Sequence, residues 1–195
     1  MYYVIYVSSG NESKAQGLIN KMISSELYSD CFYPIRVMKK KLRGKWTIVH
    51  ERLIPGYIFI ESENASELYK ELRSIPMFLR MLGKEESDDD IDIYPLSDNE
   101  VSWLNKLSGR NDNANKKEHE VGLSQVGFDE NDQVIVMSGP LLGMKGQIKK
   151  INLHKRIAEV EVDFMNQKTV VHVGIEIIEK HKEMVGKEPN LFDGA

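Results

Sequence analysis

The sequence contains one cysteine, Cys31, so it can form no intramolecular disulfide bond and cannot supply the thiolates of a cysteine-rich zinc site. It also has no long hydrophobic run. The apolar stretch near the N-terminus is far too short to cross a bilayer, and no basic segment precedes it. We therefore expect no signal peptide, no contact with a membrane and a reducing, cytoplasmic location. Because Cys31 lies in the apolar run CFYPIRV, we expect a buried hydrophobic side chain there and not a nucleophile.

The sequence motifs of the common enzyme classes are missing as well. There is no glycine-rich phosphate loop that ends in Lys-Ser or Lys-Thr, no His-x-x-x-His pair and no G-x-S-x-G turn. Six acids lie between Glu85 and Asp92, but they lack the alternating spacing and the glycine of a calcium loop, which predicts a solvated loop. We expect a binding protein that is not an enzyme and that carries neither a metal nor a cofactor.

Residues 1–108 alternate strand-like and helix-like patterns, which predicts a mixed α/β domain. Tyr2–Val7 is aromatic and β-branched, as in a strand, and apolar residues then recur at helical spacing. A long hairpin that turns at Arg43-Gly44 follows. Further on, Ser97 and Glu100 have the S-x-x-E spacing of a capping box, which predicts the start of a helix.

The rest of the chain has a different pattern. Residues 109–127 are polar, rich in asparagine and without periodicity, which predicts a flexible linker. Residues 128–180 contain short alternating runs separated by glycine, proline and asparagine, which predicts a small all-β barrel. Residues 181–195 are expected to be a disordered tail. The sequence therefore predicts an α/β domain, a linker and an all-β module, which together make an α+β protein.

The formal net charge of −4 conceals a positive segment in the predicted barrel. Gly139–Ala158 holds five cations and one histidine but no acid, although acids flank it on both sides. Because the local field decides whether a polyanion binds, this segment favours contact with nucleic acid. A solvated hairpin with a chance run of lysines would give the same composition.

Several motifs resemble those of one protein family. The first domain contains Tyr2-Tyr3-Val4-Ile5 with Ser9-Gly10-x-Glu12, then LIPGYI from Leu53, RSIP from Arg73 and PLSDNEV from Pro95. These resemble the N-terminal domain of NusG transcription factors, the NGN domain. The second module resembles the KOW domain of the same family, with G-P-x-x-G-x-x-G from Gly139 followed by the strand-like Ala158–Phe164. The resemblance implies an NGN α/β sandwich, an antiparallel sheet flanked by helices, joined by the flexible linker to a small all-β KOW barrel.

The resemblance also implies a partner, because NusG proteins bind the clamp coiled coil of RNA polymerase and reach across the cleft to the opposite lobe, which suppresses pausing. By position, an apolar concavity for the clamp would contain Tyr3, Leu53, Ile54 and Tyr57, while Ser66 and Glu67 would face the opposite lobe. The alternative is that the first four are ordinary core residues. The hairpin tip would contact upstream or non-template DNA through Lys39, Lys40, Lys41, Arg43 and Lys45, or would simply be solvated. We expect a monomer.

Departures from the family pattern point to a specialised member. Leu141 replaces the usual Phe after Gly-Pro, and Met165–Val171 lacks the aromatic, glycine and arginine of a turn that helps the family bind Rho and a ribosomal protein. This profile resembles the LoaP type, which antiterminates long operons after its KOW domain binds a hairpin in the nascent leader RNA. The RNA-binding residues would then be Lys145, Lys149, Lys150, Asn152, His154, Lys155, Arg156, Asn166, Gln167, Lys168 and His172.

Two other functions fit the sequence. A housekeeping NusG would couple polymerase to Rho and the ribosome through the same two domains. A ribosome-associated KOW protein would bind ribosomal RNA, although such a protein would have no need of the N-terminal domain.

Overall fold

A computed structural model of the chain describes residues 1–77, 79–87, 90–108 and 119–178. The helices within these ranges are α1 (Glu12–Met22), α2 (Ala65–Leu72) and α3 (Asp98–Ser108). The strands are β1 (Tyr2–Tyr6), β2 (Asp30–Phe32), β3 (Ile35–Leu42), β4 (Lys45–Arg52), β5 (Tyr57–Glu61), β6 (Arg80–Met81), β7 (Gly83–Ser87), β8 (Asp90–Ile93), β9 (Glu120–Val121), β10 (Ser124–Phe128), β11 (Val134–Ser138), β12 (Ile148–Asn152), β13 (Ile157–Phe164) and β14 (Gln167–Ile177). In the part of the chain described, no helix is long and apolar enough to span a membrane.

The N-terminal half is built on an antiparallel sheet of four strands in the order β2-β5-β1-β6. Because side chains alternate along a strand, this sheet has two different apolar faces. One face carries Tyr3, Ile5 and Ile58, and it is covered by α1 and α2 through Ile19 and Leu68. The other face carries Tyr2, Val4, Phe32 and Phe59 and joins a second core, to which α3 contributes Trp103, Leu104 and Leu107.

The long hairpin is formed by β3 and β4, which pair from Ile35↔Arg52 to Leu42↔Lys45. Its turn is at Arg43-Gly44, where both residues have positive φ, 49° and 82°. Two central residues of this kind form the type I′ turn that matches the twist of the strands, so the predicted turn is confirmed.

Two segments contain strands where the sequence predicted irregular chain. The acidic stretch expected to be a loop includes β7 and β8, which pair with each other as an antiparallel hairpin. The segment 109–127, expected to be a linker, ends in β9 and the start of β10. β9 adds to the hairpin sheet beside β3, and β10 belongs to the second module. The predicted tail, 181–195, lies outside the described residues.

The second module is a curved sheet in the order β11-β10-β14-β13-β12. Its interior contains Val126, Leu141, Met144 and alternate residues of β13 from Ala158 to Phe164. β13 and β14 are joined by Met165-Asn166, a two-residue turn whose φ angles of 51° and 59° are also those of type I′. A mixed α/β N-terminal domain followed by a β-rich half-barrel confirms the predicted fold class.

Candidate nucleic-acid interface

The cations of the positive segment lie within β12, which holds Lys149 and Lys150, and beyond its two ends, with Lys145 on one side and Lys155 and Arg156 on the other. At one end, the β12–β13 turn is closed by Asn152, whose Oδ1 accepts a hydrogen bond from the amide of Lys155 at 2.9 Å. Arg156 completes the turn with a φ of 56°. This geometry leaves the side chains of His154 and Lys155 exposed. The turn therefore presents positive charge to solvent at a fixed position.

Ion pairs neutralise part of the predicted RNA-binding set. Lys149 lies 3.1 Å from Glu161, and Lys168 lies 2.7 Å from Asp163. The hydrogen bond from Lys168 to Asp163 raises the pKa of this lysine. Lys150 lies opposite Glu159 in the strand register but forms no ion pair with a described residue. The outer face of β13 is thus a row of acids, and the cations beside it are partly balanced.

The strand β13 separates the predicted set into two groups. His154, Lys155 and Arg156 precede β13, whereas Asn166, Gln167 and Lys168 follow it. Seven residue steps of a strand are about 23 Å long, so the two groups lie at opposite ends of the module. The predicted RNA-binding residues therefore do not all lie on one continuous face. His172, opposite Glu159, belongs with the first group, and Lys145 precedes β12 on the side of the second group.

Ion pairs also neutralise two of the five cations at the hairpin tip. Lys39 is paired with Glu176 of β14, and Lys40 is paired with Glu51. The hydrogen bond from Lys40, followed by that from Arg36, lowers the pKa of Glu51 in spite of its partial burial. The remaining predicted contacts, Lys41, Arg43 and Lys45, are exposed and form no ion pair with a described residue.

A contact that the sequence did not predict connects the hairpin tip to the second module. The guanidinium carbon of Arg156 lies 4.5 Å from the centre of the Trp46 ring. Trp46 is directly opposite Lys41 in the hairpin register, and 43% of its surface is exposed. An aromatic residue among five cations was the available signal, but a sequence gives no indication that the tip meets a turn more than a hundred residues away.

Three of the predicted polymerase contacts lie in one buried cluster. Leu53 and Ile54 are 3% and 6% exposed, and Tyr57 packs against the same core. Phe164 of the second module lies over this region, with its ring centroid 5.1 Å from that of Tyr57 and 5.9 Å from that of Phe59. The apolar face is therefore covered by the second module and is not open to solvent.

The other predicted polymerase contacts lie elsewhere. Tyr3 is on the opposite face of the sheet and packs in the core that α1 and α2 cover. Successive side chains of β1 point to opposite faces of the sheet, so Tyr2 and Val4 share one face and Tyr3 and Ile5 share the other. The sequence alone already indicated this. Ser66 and Glu67 are exposed at the start of α2. The structure thus does not bring all six residues to one surface.

Helix α3 holds the second module in place with polar contacts. Trp103 donates its indole N–H to the carbonyl oxygen of Asp163 at 2.7 Å, and Lys106 donates to the carbonyl oxygen of Gly143 at 3.0 Å. Glu100 accepts a hydrogen bond from the amide of Met165 at 2.6 Å. With its other oxygen, Glu100 accepts bonds from the amide and hydroxyl of Ser97, so the predicted capping box is confirmed and also serves the contact between modules.

Glu12 fixes the loop that carries the apolar cluster. Its side chain is fully buried and accepts hydrogen bonds from the amides of Gly56, at 2.8 Å, and Gly10, at 3.1 Å. Burial alone would raise the pKa of Glu12, but these bonds and the nearby Arg52 lower it below the ordinary value. The motif Ser9-Gly10-x-Glu12 therefore positions the Pro55-Gly56 turn.

Nothing in the described ranges resembles a metal or thiol site. No group of three or more His, Cys, Asp or Glu side chains within residues 1–77, 79–87, 90–108 and 119–178 is placed to hold a metal ion. Burial, and then the charge of Asp30, raise the pKa of the Cys31 thiol to about 12. The expectation that Cys31 is a buried hydrophobic residue is confirmed.

Comparison with known proteins agrees with this architecture. Residues 1–105 match a family described as "Transcription termination factor nusG", and residues 130–163 match the KOW motif. The "Transcription termination/antitermination protein NusG" of Thermus thermophilus is 28% identical over 182 residues, which are 88% of this chain and 94% of that protein. The protein of the same name from Neisseria meningitidis is 25% identical over 187 residues, 92% of this chain and 97% of that one.

A solved structure has the same fold. A chain described as "Domain interaction in Thermotoga maritima NusG" superposes with a TM-score of 0.51. The match covers 89% of this chain and 92% of the other at 24% identity, so it bears on the fold alone.

Proposed function

We propose that this chain, which belongs to the NusG family of transcription factors, is an elongation and antitermination factor whose barrel binds structured RNA. In this proposal the N-terminal domain binds RNA polymerase and suppresses pausing and termination. The barrel binds a hairpin in the nascent leader transcript, as in the LoaP type. The protein would act as a monomer in the cytoplasm.

One observation carries the RNA-binding part of the proposal. The cations of the β12–β13 end, Lys150, Lys155 and Arg156, form no ion pair with a described residue, and His154 is exposed beside them. Unpaired cations are the ones that release counterions when they bind phosphates. Because the deep major groove of an RNA duplex excludes side chains, Asn152 and His154 would read bases only where a bulge or loop opens the helix.

The position of the barrel adds a condition to polymerase binding. If the clamp binds the cluster that contains Leu53, Ile54 and Tyr57, the barrel must first move away from it, because Phe164 occupies the same face. The apparent dissociation constant for polymerase then equals the intrinsic constant divided by the fraction of open protein. Contacts that hold the barrel closed therefore weaken polymerase binding.

A housekeeping role is the second candidate, and the nearly full-length similarity to proteins named NusG favours it. In that role, residues 165–171 would bind Rho and a ribosomal protein. This turn is held against α3 through Met165 and Glu100, so it would also be released when the barrel opens.

The deciding experiment measures RNA binding by the full chain. The probe is the leader RNA upstream of the operon that encodes the protein, and the matched variants are Lys150→Glu/Lys155→Glu and Lys14→Glu/Lys21→Glu. The second pair changes the charge equally on α1, where both lysines are exposed. We expect the first pair to weaken binding at least tenfold and the second to have little effect, with an in vitro termination assay changing in parallel.

Two outcomes would contradict the proposal. Equal binding to any RNA duplex, regardless of bulges, would leave only generic electrostatic attraction. Retention of Rho on the full chain together with no binding to leader RNA would establish the housekeeping role.

A further inference from the structure

The two cationic regions of the molecule meet at one contact. Arg156 belongs to the β12–β13 turn, Trp46 belongs to β4, and the guanidinium lies 4.5 Å from the centre of the ring. A cation held over an indole face is attracted by the electrons of the ring. The hairpin tip and the barrel turn are therefore parts of one surface.

Several cations on this surface form no ion pair with any residue in the described ranges. On the hairpin side they are Lys41, Arg43 and Lys45, and on the barrel side they are Lys155 and Arg156, with His154 beside them. Lys39 and Lys40 are excluded because Glu176 and Glu51 neutralise them. The positive charge is thus concentrated around Trp46.

The tip also presents apolar surface among these charges. Trp46 is 43% exposed, and Ile48, two residues further along the same strand and hence on the same side, is 55% exposed. An exposed aromatic ring surrounded by cations is the arrangement by which proteins bind single-stranded nucleic acid. The bases stack on the ring, and the lysines and arginines bind the phosphates. A duplex hides the faces of its bases and offers nothing for Trp46 to stack on.

We infer that the hairpin tip and the β12–β13 turn together form a binding site for single-stranded nucleic acid, in which Trp46 stacks on a base. Arg156 holds the ring from the barrel side, and Lys41, Arg43, Lys45 and Lys155 bind the flanking phosphates. The inference rests on the proposed function, because the barrel turn is shared with the proposed hairpin-binding face. It adds Trp46, assigns a different element of RNA, and applies to the closed protein, before the barrel moves away for polymerase.

A site made from both modules is sensitive to how they are placed. Gly174 of β14 lies against β3, where an added Cβ would be 2.2 Å from the carbonyl oxygen of Val37 and 3.2 Å from the Cα of Met38. Backbone atoms at that distance cannot give way as a side chain can. Gly174→Ala should therefore move the barrel away from the hairpin without altering any cation or aromatic residue of the site.

The test measures binding of a fluorescently labelled 12-nucleotide oligouridine to the full chain by anisotropy. We expect Trp46→Ala to weaken binding roughly fivefold to a hundredfold, and Trp46→Phe to retain most of the affinity. Replacing Lys41, Arg43 and Lys45 by alanine should reduce the slope of log affinity against log salt by about 2. Gly174→Ala should weaken binding about tenfold, whereas Lys14→Ala/Lys21→Ala on α1 should leave it unchanged.

The outcomes separate this inference from the proposed function. If the Trp46 and triple variants bind the oligonucleotide as the wild type does, while Lys150→Glu/Lys155→Glu loses hairpin RNA, the inference is wrong and the proposed function stands. Tighter binding of a duplex than of a single strand of the same length would also overturn it. No binding of either RNA would contradict both the inference and the proposed function.

A matched oligodeoxynucleotide identifies the kind of single strand that binds. Equal affinity for DNA and RNA indicates a displaced DNA strand as well as transcript, and weaker affinity for DNA indicates transcript alone.

Discussion

The two faces of the N-terminal sheet are both apolar but are covered in different ways. Ile5 and Ile58 pack under α1 and α2, which belong to the same domain. Val4 and Phe59, their neighbours along the same strands, lie on the face that α3 and the barrel cover. All four side chains are 0–1% exposed, so burial does not distinguish a permanent core from an exchangeable interface.

The nature of the cover does distinguish the two faces. The helices of the first face contribute aliphatic side chains such as Ile19 and Leu68. On the second face, the barrel is attached by Phe164 together with hydrogen bonds from Trp103 and Lys106. Hydrogen bonds can be replaced by water at modest cost when the modules separate, whereas a fully aliphatic contact cannot. We therefore expect only the second face to open.

The largest effect is expected when the same substitution, leucine to alanine, is made on each face of the sheet. Leu68→Ala should lower the free energy of unfolding by about 2–5 kcal/mol, because it leaves a cavity in the helix-covered core. Leu53→Ala should lower the free energy of unfolding clearly less, because Leu53 lies on the face that is expected to open. Its main effect should be weaker binding to polymerase. Urea denaturation followed by circular dichroism gives the first quantity. Equal losses of stability in both variants would show that the barrel-covered face is ordinary core.

The sequence predicted local structure well where one segment decided it. The turn at Arg43-Gly44, the capping box at Ser97 and the alternating strands of the barrel all follow from residues close together in the chain. Tyr3 was misplaced because its motif was read without the alternation of the strand, which puts it beside Ile5 and away from Phe59.

Contacts between distant segments were not predictable in this way. The helical spacing that marks Trp103 as buried is the same whether the ring meets its own domain or the barrel. The strand β9 was missed because two residues of pairing beside β3 leave no periodic signal in a polar segment. The division of the basic residues between two ends of β13 depends on strand length, which a count of charges ignores.

An intermediate effect is expected where the two faces are linked. Glu12 begins the helix that covers one face, and it holds Gly56 in the loop that borders the other. Its pKa is lowered in the folded protein, so its stabilisation is complete above the ordinary glutamate pKa of 4.5 and is lost as the pH falls through the lower folded value. Glu12→Gln should therefore cost about 1–3 kcal/mol near neutral pH, and it should reduce the acid sensitivity.

The measurement is urea denaturation of both proteins at several pH values from neutral to acid. The difference in stability between wild type and Glu12→Gln should shrink as the pH falls. Glu67→Gln is the matched control, because Glu67 is exposed at the start of α2 and forms no ion pair with a described residue. A difference that stays constant with pH would contradict the assigned role of the carboxylate.

The smallest expected effect tests the polar attachment of the barrel by itself. Trp103→Phe removes the indole N–H that donates to the Asp163 carbonyl but keeps an aromatic ring against Phe164. A hydrogen bond of this kind contributes about 0.5–1.5 kcal/mol, so the open fraction, and with it the affinity for polymerase, should rise roughly twofold to tenfold. Titration of polymerase measures this change, with Tyr28→Phe as the control, because it removes a hydrogen bond to Asn20 that does not involve the barrel. A fall in affinity would contradict this model, because a barrel that competes with polymerase for the same apolar face can only weaken polymerase binding while it is closed. It would mean that the closed barrel assists polymerase binding.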